Sequence, residues 1–183
     1  MISKKDKTYK CAVCKEPFVK RSPWQSVCNL KCAAILVDSR NKKTEHKETK
    51  ARKEALKTRS DYMKDAQKAF NAYIRARDAD KPCISCGVPL KKEALGGGYD
   101  CGHFRSVGSA PHLRFDDQNA HGQCKKCNRY LSGNVTEYRR HLSHRIGQVA
   151  LDRLEADQCV RKYTIEGLQM LTSDYKKLTK ELK

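Results

Sequence analysis

The sequence predicts a small, helix-rich α+β protein assembled around two four-cysteine clusters. Three observations lead there. Eight of the ten cysteines fall into four close pairs: Cys11/Cys14, Cys28/Cys32, Cys83/Cys86 and Cys124/Cys127. Apolar side chains recur at helical spacing over residues 60–79 and again after residue 135. Of 183 residues only 38% are hydrophobic, while 33% are charged. A core that small needs staples such as metal ions.

The cysteine pairs read C-x2-C-x13-C-x3-C and C-x2-C-x37-C-x2-C. A short knuckle aims two thiolates at one tetrahedral ion, and two knuckles complete a closed zinc site. Cys11, Cys14, Cys28 and Cys32 are thus expected to hold one zinc ion, and Cys83, Cys86, Cys124 and Cys127 a second. Four thiolates leave no open position, so both zincs are expected to be structural. The alternative is that one pair is ordinary buried cysteine, a reading that suits Cys28/Cys32, whose spacing is looser. Cys101 and Cys159 have no near partner and read as free thiols.

The chain opens Met1-Ile-Ser-Lys-Lys-Asp-Lys, without the apolar stretch of a signal peptide. No segment approaches the roughly 20 apolar residues of a membrane span. A cytoplasmic location is expected, where cysteines stay as thiols or metal ligands. The net charge is +18, from 39 Lys and Arg against 21 Asp and Glu. Both halves of the chain are basic. A polyanionic partner follows, and nucleic acid is the commonest one; solubility alone is the bland alternative.

Four segments are expected. Residues 1–37 form a four-cysteine zinc finger. Tyr9-Lys-Cys-Ala-Val-Cys-Lys-Glu-Pro-Phe18 reads as a hairpin knuckle with Phe18 as apolar anchor and Trp24 packed beside the zinc. Cys28 to Val37 reads as a knuckle opening a helix, which makes the finger treble-clef-like. It either binds DNA or packs on the rest of the chain. Residues 38–80 form a basic helical connector. Residues 40–59 hold nine basic and three acidic side chains, with no Pro or Gly. This stretch is a solvated connector or a rod lying along phosphates. Ser60 is the expected N-cap of the stripe Tyr62, Ala66, Phe70, Tyr73 and Ile74. That face is expected to pack on the second zinc module or on a second subunit.

Residues 81–134 form the core segment, with breaks at Pro82 and Gly96-Gly-Gly98. Residues 135–183 should be helical. Tyr138, Leu142 and Ile146 make one stripe, with Gly147 as C-cap. Thr164 caps a last helix carrying Ile165, Leu168, Leu171, Tyr175, Leu178 and Leu182. It docks in cis or forms a dimer interface.

The chemistry concentrates in the core segment. A short strand near 99–105 carries Asp100 and His103. A loop with Asn119 follows, then a helix starting around the second knuckle with Asn128 in its first turns. Phosphodiester hydrolysis needs a base for water, a hard divalent cation for the phosphate, and a group that orients the base. His103 suits the base, because neutral imidazole is available near pH 7. Asp100 and Asn128 offer the oxygen ligands that Mg²⁺ and Mn²⁺ prefer. Asn119 is expected to fix the loop and orient His103. Gly102 is expected to leave room beside Asp100 for metal and phosphate. Arg105, Arg114, Lys125, Lys126 and Arg129 are candidate phosphate contacts. His121 is a further ligand or phosphate contact, or equally a histidine packed by the zinc. His112 can touch DNA, while His46, His141 and His144 read as surface residues.

Cys-x2-Cys, then Gly102-His-Phe, then Asp116-Asp-Gln-Asn, then Cys124-x2-Cys-Asn128 resembles zinc-bearing HNH (ββα-metal) nucleases. The element Cys124-Lys-Lys-Cys-Asn128 is also similar to that of phage endonuclease VII. Gly102 stands where the HNH pattern commonly has an acidic residue or His, so the metal role moves back to Asp100. The longer strings Asp100 to Gly108, Pro111-His-Leu-Arg-Phe115, Cys127 to Asn134, Arg153-Leu-Glu-Ala-Asp157 and Lys162-Tyr-Thr-Ile165 resemble the NinG/Rap family of lambdoid phages. That resemblance implies a structure-specific endonuclease acting on branched recombination intermediates such as Holliday junctions and D-loops. It also implies a divalent-metal requirement and a homodimer. Two readings compete: a non-catalytic zinc-containing DNA-binding protein, and an RNA- or ribosome-associated zinc protein. The set Asp100, His103, Asn119 and Asn128 discriminates, because a pure binding module has no use for it.

Overall fold

The computed structural model describes residues 7–91 and 98–182. The expected break at Gly96 and Gly97 lies outside the described residues. The chain divides into two compact units at Lys57–Thr58. That boundary falls inside the segment 38–80 expected as one connector, because the two helices there have different partners.

In the first unit, strands β1 (Thr8–Lys10) and β2 (Pro17–Val19) pair antiparallel, with Tyr9 opposite Phe18. The turn between them carries Cys11 and Cys14 and is closed by the Cys11 N–H on the Glu16 carbonyl at 2.9 Å. Helix α1 (Leu30–Ala55) is capped by Asn29, whose side chain accepts from the Cys32 N–H at 2.9 Å. The helix therefore starts inside the finger and runs on through the basic stretch without a break. It buries only Cys32, so its remaining length is a solvated rod held by propensity and by pairs such as Lys42–Asp38 at 2.8 Å. Trp24, expected beside the metal cluster, is instead exposed to solvent.

The second unit opens with α2 (Arg59–Arg77). Its N-cap is Thr58 rather than Ser60. Thr58 and Asp61 bond each other's backbone N–H groups, a reciprocal capping box that Ser60 has no partner to form. Ala66, Phe70 and Ile74 are buried, packed with Phe115, Ala120 and Leu168. Leu168 belongs to the last helix (Ile165–Glu181), capped by Thr164 as expected. Phe70 meets Tyr175 edge-on at 5.0 Å, and the Tyr175 hydroxyl donates to the Phe115 carbonyl at 3.0 Å. The last helix thus docks within its own chain.

Strands β3 (Tyr99–His103) and β4 (Ala120–Cys124) form an antiparallel hairpin, with Asp100 opposite Gln123 and His103 opposite Ala120. The end of α2 clamps this hairpin. Asp78 is fully buried, pairs with Arg77 and Lys81 at 2.9 Å each, and accepts the Gly122 N–H at 2.9 Å. A Cβ at position 122 would come within 2.7 Å of a Leu90 methyl and 3.1 Å of the Asp78 Cβ, so glycine here lets the strand lie close against the end of α2. Helices α3 (Val135–Ile146) and α4 (Gln148–Ala156) are joined at Gly147, φ 84°. Their Tyr138, Leu142, Leu151 and Leu154 close a second core with Ile84, Phe104 and Leu113. With α1 and α2, the last helix is α5. No helix among the described residues is long and apolar enough to cross a membrane.

Candidate active site and metal centres

Each four-cysteine set converges. In both, the sulfur atoms lie within 4.8 Å of one another. Cys14–Cys28 is 3.5 Å, Cys28–Cys32 is 3.7 Å and Cys86–Cys124 is 3.7 Å. A tetrahedron with Zn–S bonds near 2.3 Å has edges of about 3.8 Å. Donors surround the sulfurs as they do metal thiolates: the Cys28 N–H on Cys11 at 3.4 Å, the Cys124 N–H on Cys83 at 3.3 Å, and the Asn134 amide on Cys127 at 3.6 Å. Both sets can hold zinc, including Cys28/Cys32 with its looser spacing. Cys101 and Cys159 belong to neither.

His103 ends β3. Its Nε2 lies 3.0 Å from the Arg114 carbonyl. A carbonyl only accepts, so Nε2 carries the proton and Nδ1 keeps its lone pair. Burial, against Phe70 among others, lowers the imidazole's pKa and keeps it neutral. Asn119, fully buried, explains the aim of that carbonyl. Its oxygen accepts the Arg105 N–H at 2.8 Å, and its amide donates to the Arg105 and Leu113 carbonyls at 3.0 and 3.1 Å. One side chain ties the end of β3 to the 3-10 turn Pro111–Leu113, and the residue after that turn presents its carbonyl to His103.

Asp100 and Asn128 also meet: the Asn128 amide donates to the Asp100 carboxylate at 3.1 Å. Arg129 grips both carboxylate oxygens, at 2.7 and 2.8 Å. That guanidinium holds the carboxyl below its usual pKa range, and the Asn128 amide assists. Arg129 is therefore an ion-pair partner of Asp100 rather than a free phosphate contact. Asn128 does not sit on an α-helix. Lys126–Tyr130 forms a single π-helical turn, followed by positive φ at Ser132, Gly133 and Asn134. The chain must place Cys124 and Cys127 on one cluster and still turn into α3 within a few residues. Gly102 leaves no open room. Gln123 fills the space a Cβ would take, held by its amide on the Ser85 hydroxyl at 2.6 Å. Strand alternation puts Asp100 on one face of the hairpin, and Cys101 and His103, which pack toward α2, on the other.

The other expected phosphate contacts divide. Arg105 donates to the Leu154 and Asp157 carbonyls at 2.9 and 2.6 Å, closing the C-terminal end of α4, where a cation is favoured. His121 is buried against the Tyr138 hydroxyl at 3.2 Å, and burial drops its pKa to about 3. It is a core histidine. His112 is likewise buried, with Nε2 at 2.9 Å from the Asp157 carbonyl. Lys126 is exposed at the start of the π turn, and Lys125 is half-buried near Asp100. Arg114 lines an open cleft of about 380 Å³ along α2. Lys64, Gln67, Lys68, Asn71 and Arg75 complete its polar lining, which has no acidic residue. Arg114 donates to Gln67 at 3.1 Å while its carbonyl holds His103. The α2 side chains of this cleft were missed in the sequence, although Lys64, Lys68, Asn71 and Arg75 recur at helical spacing opposite the apolar stripe. A neutral imidazole with a free lone pair, next to a basic cleft, can take a proton near a bound phosphate.

The chain matches the family model described as Bacteriophage Lambda NinG protein over residues 3–183. It is 38% identical to Protein ninG of Escherichia phage 933W over 192 residues, covering 95% of this chain and 93% of that one. It is 44% identical over 134 residues to Protein ninG of Escherichia phage lambda (73% of this chain, 63% of that one). The same identity and length apply to Protein ninG of Salmonella phage P22 (73% and 64%). No solved structure is similar enough to count as a match. With a family match that spans nearly the whole chain and relatives of this identity, the protein belongs to the NinG family of lambdoid phage proteins.

Proposed function

We propose that this NinG-family protein is an endonuclease that hydrolyses phosphodiester bonds in branched DNA, such as Holliday junctions and D-loops, during phage recombination in the host cytoplasm. The observation that carries the reading is His103: proton on Nε2, held by the Arg114 carbonyl, neutral through burial, with Nδ1 left as a base. In this reading His103 accepts the proton of the attacking water. Arg114 and the α2 cations bind the flanking phosphates, and Asn119 fixes the peptide that aims the imidazole. Asp100 and Asn128 are oxygen donors of the kind Mg²⁺ or Mn²⁺ takes, and they lie in contact. The ion would stabilise charge on the phosphate and leaving oxygen. Its binding competes with Arg129 for Asp100. The zinc clusters act as frame, since Cys127 directly precedes Asn128. Two copies acting together fit a junction that offers two strands to cut.

Two observations favour a second reading, a zinc-containing DNA-binding protein without hydrolytic activity. Arg129 already satisfies both oxygens of Asp100. Asp100 and His103 also lie on opposite faces of the hairpin, about 10 Å apart along the strand. The purified protein incubated with a labelled four-way junction, a D-loop and linear duplex, with and without Mg²⁺ or Mn²⁺, separates the readings. Metal-dependent cutting confined to the branched substrates is expected. Binding without cutting under every condition supports the second reading, and equal cutting of linear duplex removes the branch specificity.

A further inference from the structure

The chain has one tryptophan, Trp24, and it stands in solvent, 92% exposed. An indole in that position forgoes burial of roughly 150–250 Å² of mostly apolar surface. The ring is not on a loose loop. Ser22-Pro23-Trp24-Gln25 is a β-turn closed by the Gln25 N–H on the Ser22 carbonyl at 3.0 Å, with proline at the position that presets its φ. The Ser22 hydroxyl accepts from the Trp24 N–H at 3.4 Å. The Gln25 side chain accepts the Arg21 N–H at 2.7 Å and donates to the Val27 carbonyl at 2.8 Å. The Ala12 N–H on the Ser26 carbonyl, at 2.9 Å, fastens the turn to the Cys11–Cys14 knuckle.

The surroundings are cationic. Residues 7–37 contain six basic side chains and one acidic, Glu16. Arg21 leads into the turn, and with Lys31 it borders an open cleft of about 770 Å³ whose lining also includes Gln25 and Asn29 and the apolar Val27, Leu30 and Ala33. Neither cation is in an ion pair among the described residues. The cleft combines apolar side chains (Val27, Leu30 and Ala33) with two cations and no acidic residue, which matches a partner with flat apolar faces on an anionic backbone.

We propose that Trp24 is a stacking platform for an unpaired nucleobase of DNA, with Arg21 and Lys31 holding adjacent phosphates. Every base offers a π-face to an aromatic plane once it leaves the duplex stack, and the neighbouring cations track its backbone. Paired bases inside a duplex present no such face, so the finger reads unpaired nucleotides of the sort found at branch points. This inference rests on DNA being the partner, but not on hydrolysis at His103.

The single tryptophan makes the test direct. Zinc-loaded full-length protein is titrated with a dye-labelled oligothymidine and with a matched linear duplex. Indole emission reports the stack and dye anisotropy reports binding. The expected result is strong quenching by the single strand and little by the duplex. Trp24→Ala weakens single-strand binding about 5- to 100-fold, and Trp24→Phe retains most of it. Zinc content and circular dichroism confirm that the variants are folded, and the wild-type quench needs no variant. Single-strand binding without quenching, or an unchanged affinity in Trp24→Ala, overturns the stacking role while DNA binding stands. Quenching that grows with protein concentration alone assigns the indole to a second copy and also overturns it. Absence of anisotropy change with either DNA removes this inference together with DNA as partner.

Discussion

The Nε2 of His103 donates to the backbone carbonyl of Arg114 across 3.0 Å, and this contact decides which nitrogen keeps its lone pair. Because the acceptor is main chain, no side-chain exchange at position 114 reverses the tautomer. Burial lowers the imidazole's pKa below the ordinary 6.5. The cleavage rate should therefore fall, as pH is lowered, through a midpoint below 6.5, since protonation fills Nδ1. A midpoint at or above 6.5 in the pH–rate profile contradicts the buried, neutral base.

Asn119 holds the Arg114 carbonyl in place through Leu113. Asn119→Ala strands the Arg105 N–H and two carbonyls in a buried site, at roughly 1–3 kcal/mol for the unsatisfied donor. Urea denaturation should show a loss of about that size. The surviving folded fraction should cut more slowly while binding DNA as before. Unchanged stability removes the bracing role.

In the proposed reaction Arg129 and a divalent cation would compete for Asp100. Arg129 is half exposed, so solvent screens the ion pair and it holds Asp100 only weakly. Arg129→Gln should lower the Mn²⁺ concentration for half-maximal cleavage by up to about 5-fold. A metal requirement that rises or stays put in that variant places the cation elsewhere.

Buried histidines set an acid limit on stability. Burial drops the His121 pKa to about 3, from 6.5. Between those values the unfolded chain takes up a proton that the folded chain refuses. Stability is thus fully present above about pH 6.5 and declines as pH falls toward 3, by roughly 1.4 kcal/mol per pH unit from this residue. His103 acts in the same direction. Asp78 extends the decline at lower pH: burial works against its charge, but Arg77 and Lys81 more than offset it and leave its pKa depressed. Urea midpoints measured from pH 8 to pH 4 should drop steadily below pH 6.5, and His121→Asn should flatten that slope if it folds. A flat profile in the wild type contradicts the buried neutral state.

The two cysteine clusters should bind about two zinc ions per chain, and Cys83→Ser about one. Elemental analysis of dialysed protein decides this. One zinc in the wild type leaves one cluster as plain thiols.

What was legible in the sequence was local. Cysteine spacing marked both clusters, Thr164 and Gly147 marked helix ends, and the Tyr138/Leu142 stripe marked a buried face. Each knuckle, cap and stripe is written within a few residues. Partners distant in sequence were not legible. Arg105 looked like a phosphate contact but closes α4 some 50 residues away, and His121, which read equally as a ligand or as a packed histidine, lies against Tyr138. Thr58 caps α2 in place of Ser60 because Asp61, three residues on, completes the capping box. Trp24 is the reverse case: an aromatic near cysteines is expected beside the zinc, yet it stands in solvent on the Ser22–Gln25 turn.

The role proposed for His103 is hydrolysis in an otherwise DNA-binding frame. Its most direct test is single-turnover cutting of a labelled four-way junction by wild type and His103→Ala, with junction affinity measured in parallel. Cutting should be abolished in His103→Ala while affinity is retained. Cutting at the wild-type rate by His103→Ala contradicts it.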